Sequence, residues 1–152
     1  MLRHTVATLA YRAGKALRGA PPEFAGYRAK DGSRTPGEIL AHMGDLFDWA
    51  LTLANGTQAW HNSPVLPWDQ GAARFFAALE AFDQRLAAPE PLVCPEELLF
   101  QGPIADALTH TGQIAMLRRM AGCPMRGENY AKATITAGRV GADQAPPAFE
   151  FD

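Results

Sequence analysis

The chain has 152 residues, of which 47% are hydrophobic and 20% charged, and a formal net charge of -2 at pH 7. That length suffices for one domain with a core that needs no disulfides or structural metal, and the composition is globular rather than that of a disordered tail. The near-neutral charge excludes a summed field that favours nucleic acid or an anionic membrane surface, and polar side chains interrupt every apolar stretch before the ~18 residues of a membrane span.

In chain order, Val6, Leu9, Ala10, Ala13, Ala16 and Leu17 recur at helical spacing, and Pro21-Pro22 closes the pattern just after Gly19. The opening segment LRHTVATLAYRAGKALRGA is basic and amphipathic, as an organelle transit peptide is, but its apolar spacing favours a first helix. The second helix is marked more sharply: Thr35 can cap it, Pro36 suits its first position, and Glu38 can reach back to complete a capping box. Ile39, Met43, Leu46, Phe47, Ala50, Leu53 and Ala54 keep its period as far as Asn55-Gly56, a left-handed stop. The polar and aromatic connection GTQAWHNSPVLPW leads to Asp69, a cap for a third helix carrying Ala72, Phe75, Phe76, Leu79, Phe82 and Leu86. Pro89, Pro91 and Pro95 break that pattern, and Gly102-Pro103 opens a fourth helix with Ala107, Leu108, Ile114, Ala115, Leu117 and Ala121 on its apolar side. From Pro124 to Asp152 no helical period persists, which predicts an extended tail wrapping the helices, with a short strand around 133–136.

Candidate chemistry lies on two of these helices. His42 shares a stripe with Ile39, Leu46, Trp49 and Leu53, and Asp106 and His110 stand four residues apart on a face continued by Ile114 and Leu117, so all three are expected to point inward. An inward carboxylate needs a donor, a cation or a metal. Two imidazoles and one carboxylate supply three ligands to a divalent transition metal and leave positions open for water or substrate. The same residues also suit a hydrogen-bonded core network in which Asp106 fixes the tautomer of His110. Asp45, three residues beyond His42, is a candidate to orient that imidazole or to act as a base, against a solvated helix-face role. His61 can approach the mouth of the site from its loop, and Gln113 and Tyr130 can line the pocket or serve as structural hydrogen bonders. Trp49, Trp60 and Trp68 suit core or pocket-wall packing, and position alone favours the core. Cys94 and Cys123 have no paired spacing and read as incidental thiols of a reducing cytosol.

The segments TPGEILAHMGDLFDWAL and GPIADALTHTGQIAMLRRMAG resemble the DinB/YfiT-like superfamily of four-helix-bundle metalloenzymes, and the likeness runs from LAYRAGKAL through the GENY tail. The resemblance implies an all-α, up-down-down-up bundle. It also implies a nickel, zinc or iron ion held by a histidine early in the second helix and an HxxxH pair in the last. His42 matches the first histidine and His110 the last; at the remaining position this chain has Asp106, a harder and anionic ligand.

Two expectations for function follow. One is a cytoplasmic metalloenzyme, a hydrolase or a thiol-dependent transferase or isomerase, acting on a small molecule and forming a homodimer, with water activated by the metal doing the chemistry. The other is a dimeric bundle without catalysis that binds a metal or small molecule through the same residues.

Overall fold

A computed structural model describes residues 1–151, so Asp152 of the predicted tail lies outside the described residues. The chain is mostly helical: α1 spans Leu2–Leu17, α2 Pro36–Ala54, α3 Trp68–Ala87, α4 Glu96–Leu99 and α5 Ala105–Met120, with short 3-10 turns at Pro22–Gly26 and Tyr130–Lys132. Among the described residues, no helix is long and apolar enough to cross a membrane.

Each long helix forms where its local signals place it. The Thr35 hydroxyl accepts from the Glu38 N–H at 3.2 Å while the Glu38 carboxylate accepts from the Thr35 N–H at 2.6 Å, which completes the capping box of α2 with Pro36 in its first turn. At the other end Gly56, with φ at 82°, takes the left-handed turn that a side chain would resist. The apolar stripes then merge: Val6, Leu9 and Ala13 of α1, Met43, Phe47 and Ala50 of α2, Phe75, Leu79 and Phe82 of α3, and Ile114 of α5 share one buried cluster.

Contacts between helices set their directions. Leu40 lies beside Gly71, Arg74 bonds Asp45, and Arg85 bonds the Ala54 carbonyl, so positions advance together along α2 and α3. Arg3 pairs with Asp83 and Trp68 bonds the Leu17 carbonyl, so α1 and α3 run in opposite directions. Two successive helices that advance together need a connection as long as the helix, about 28 Å for nineteen residues. Residues 55–67 supply it, running back from the end of α2 until Val65 lies beside Gly37 in its first turn. This return strap carries Trp60 and His61 across the outside of α2.

Three sequence expectations need correction. Asp69 does not cap α3; Pro67 holds the cap position and Asp69 falls in the first turn. The last helical segment does not open at Gly102-Pro103. Helix α4 starts after Pro95 and runs into α5 through a π-turn at Phe100–Ile104 that contains Pro103. A proline has no N–H for the carbonyl four residues back, and the wider turn absorbs this: the Ala105 N–H bonds the Phe100 carbonyl, five residues away. Residues 133–136 form no strand; the strands are Gly127–Glu128 and Glu150–Phe151, paired antiparallel with Gly127 opposite Phe151. The tail is anchored to α1 and the core. Glu128 accepts from the Tyr11 hydroxyl at 2.6 Å and from Lys15 at 3.0 Å, Lys15 donates again to Glu150 at 2.6 Å, and Val140 enters the core.

Candidate metal centre

His42 sits two turns into α2, and Asp106 and His110 one turn apart at the start of α5, where the two helices face each other. The Nε2 of His42 is 3.4 Å from Asp106 Oδ2, and the Nε2 of His110 is 3.4 Å from Asp106 Oδ1. The two imidazole rings meet edge to face with centroids 4.9 Å apart. One donor atom from each of the three residues lies within 4.8 Å of the others. Donors placed tetrahedrally around an ion at bonds of about 2.1 Å are spaced by about 3.4 Å, the separation of each imidazole nitrogen from its nearer Asp106 oxygen, so the three residues could hold a divalent ion.

The proton positions fit as well. His110 Nδ1 donates to the Gln113 side-chain oxygen at 2.7 Å, which fixes the ring with Nε2 turned toward Asp106. For His42, burial lowers the pKa; the hydrogen bond to Asp106 opposes this, and the charges of His110 and Arg34 add to the lowering. A neutral imidazole is the form that ligates.

Burial within the triad is uneven. The side chains of His42, Asp106 and His110 are 22%, 45% and 10% exposed. Asp106 therefore does not point inward as its spacing suggested. Four residues leave it about 40° around the helix from His110, and it stands at the rim, beside a cleft formed with Leu46, Trp49 and Gly102. The argument from a buried carboxylate that must be compensated does not apply to it. What remains is geometry: it bridges the two imidazoles.

Asp45 serves another purpose. Its carboxylate accepts from Arg74 at 2.7 Å and from the Ser63 N–H at 3.0 Å, and these bonds hold the return strap and α3 to α2. Arg74 also donates to Asp48 at 2.6 Å and to the Ala41 carbonyl at 3.2 Å. It comes this close because Gly44 has no side chain; a Cβ there would collide with the guanidinium. His61 closes the cluster with its Nε2 3.3 Å from Asp45 and 3.2 Å from Asp48. Asp45, Asp48 and His61 also lie within ligand distance of one another, but the Arg74 guanidinium already supplies their cation.

The remaining candidates separate. Trp60 is not in the core: it is 44% exposed, with its ring 5.4 Å from His42 and 6.0 Å from Trp49, and so forms a wall of the site. Tyr130 packs against Tyr11 and under Arg12, on the tail side of α1. Trp68 is buried against Phe24. Two clefts open onto the imidazole pair. One, of about 350 Å³, is lined by Arg28, Glu38, His42, Asp45 and Asn62; the other, of about 450 Å³, by Ile39, His110, Gln113, Met116 and Leu117. Ser33 and Arg34 line both. Arg34 and Arg74 belong to no motif, so no sequence pattern marks them, whereas the i, i+3 spacing of His110 and Gln113 is a visible signal for the bond they make.

No family model matches the chain, and no curated protein or solved structure matches it.

Proposed function

We propose that this chain is a DinB-like metalloprotein: an up-down-down-up four-helix bundle that holds a nickel, zinc or iron ion with His42, Asp106 and His110 and acts on a small molecule as a hydrolase or a thiol-dependent transferase or isomerase. The observation that carries the proposal is the convergence of two imidazole nitrogens and a carboxylate from facing helices at the spacing a divalent ion requires. The bundle topology draws support from helix directions, since α2 and α3 advance together, α1 opposes α3, and Arg118 near the end of α5 bonds the Ala16 carbonyl at the end of α1.

A divalent ion bound there supplies Lewis acidity toward a donor atom of the substrate. The chain's residues have separate tasks. His42 and His110 would turn their Nε2 atoms to the ion, and Gln113, bonded to His110 Nδ1, holds that ring so that Nε2 keeps its direction. Asp106, at the rim, contributes negative charge between the two imidazoles. Trp60 and Trp49 shield the His42 side from water, and the two clefts leave the opposite side open.

Zinc or nickel titration of metal-stripped protein, followed calorimetrically, tests the reading. The native chain should bind about one equivalent, and His42→Ala and His110→Ala should each weaken binding at least about a hundredfold by loss of a ligand. Equal binding in all three proteins would overturn it. Tight binding without turnover in a hydrolase and thiol-transfer screen would leave a binding protein in place of an enzyme.

A further inference from the structure

We infer that Arg34 is the recognition residue for an organic monoanion, so that the site takes a small carboxylate-bearing molecule with an apolar body. The inference rests on the proposed metal centre and adds its substrate class. Arg34 lines both clefts, the one that reaches His42 and the one that reaches His110. Among the described residues its guanidinium makes no hydrogen bond or ion pair, while its neighbour Arg28 is occupied by the Ser33 carbonyl and by Glu38 at 3.6 Å.

An uncommitted guanidinium at the mouth of a cleft offers a planar fork of donors that matches a carboxylate. Glu38 is paired with Arg28 and Asp45 with Arg74, so Arg34 is the one cation of this cleft left over, and a single guanidinium matches a single carboxylate. The second cleft continues from Arg34 past His110 along Ile39, Met116 and Leu117, an apolar wall suited to a hydrocarbon segment. A fitting ligand therefore has three parts: a donor at the metal, an apolar stretch beside Met116, and a carboxylate on Arg34.

Monohydroxamates test this, because the hydroxamate head ligates zinc and the tail can be varied. The probes are the monohydroxamates of succinate, glutarate and adipate, each compared with the alkyl hydroxamate of equal length that ends in a methyl group, titrated into zinc-loaded protein. At least one carboxylate tail should bind about tenfold tighter than its methyl counterpart, the effect of one charge-assisted contact. The preference should vanish in Arg34→Gln and persist in Arg119→Gln, a cation on α5 outside both clefts. If no tail length shows a preference, or if it survives Arg34→Gln or is lost equally in Arg119→Gln, the inference is overturned while the metal centre stands. If the native chain takes up no zinc, both fall together.

Discussion

The hydrogen bond from His110 to Gln113 links local sequence to site chemistry most directly. One helical turn separates the two residues, and the amide oxygen sets which imidazole nitrogen is free. Gln113→Ala should lower metal affinity about tenfold to a hundredfold, measured by competition with a chelator of known affinity, with little change in the urea midpoint because Gln113 is exposed. An unchanged affinity would mean that Gln113 does not orient the ring. Asp106 illustrates the limit of face arguments: spacing places it one turn from His110, yet a rim carboxylate at 45% exposure is already solvated, so geometry and not desolvation singles it out. Asp45 shows the converse. It is buried, and its compensation comes from Arg74 on a different helix, a partner that its own helix cannot reveal.

At the scale of elements, helix ends were more legible than interruptions. The capping box at Thr35 involves four consecutive residues and forms as expected; Thr35→Ala should cost about 1 kcal/mol in chemical denaturation, and no loss would mean that packing alone holds the start of α2. The segment leading into α5 was misread because Pro103 satisfies two rules: it suits a first helical turn, and it also survives inside a helix if the turn widens. The stretch from Glu96 decides between them by forming α4 ahead of it. Arg118 lies in the last turn of α5, where a positive charge favours the helix dipole. It is buried, and its guanidinium donates to the Ala16, Arg18 and Cys123 carbonyls at 3.0, 2.7 and 2.8 Å, tying the end of α5 to the end of α1. Arg118→Met should destabilise by about 2 kcal/mol through those unpaired carbonyls, and Arg118→Lys should recover only part of this, because an ammonium lacks the fork. Full recovery by lysine would reduce the role to charge alone.

For the whole molecule, the tail is held by a charged cluster rather than by apolar packing alone. Lys15 and Glu128 have side chains 8% and 0% exposed. Burial opposes the Lys15 charge, but the hydrogen bonds to Glu150 and Glu128 outweigh it and leave the Lys15 pKa raised. Tyr11 shifts in the same direction, through burial and its bond to Glu128. Glu128→Ala leaves a buried ammonium with one partner and should cost about 3 kcal/mol, with faster proteolysis of residues 127–151 at native conditions. A loss of stability without tail release would show that the cluster stabilises α1 and does not fasten the tail.

The helices, their apolar stripes, the cap of α2 and the one-turn spacing of Asp106 and His110 were legible from the sequence, because each depends on residues within one or two turns of each other. Tertiary structure decided which polar groups became partners. His42 meets Asp106 across 64 positions, Arg74 reaches Asp45 across 29, and Glu128 reaches Lys15 across 113. A long-range pair forms only after the chain has closed the intervening loop and buried its apolar faces, so no local pattern encodes it. The return of residues 55–67 along α2 is the clearest case: by itself the segment reads as a polar loop, and only the shared direction of α2 and α3 sends it back across the site, where the Trp60 ring lies tilted beside His42 and His61 joins Asp45.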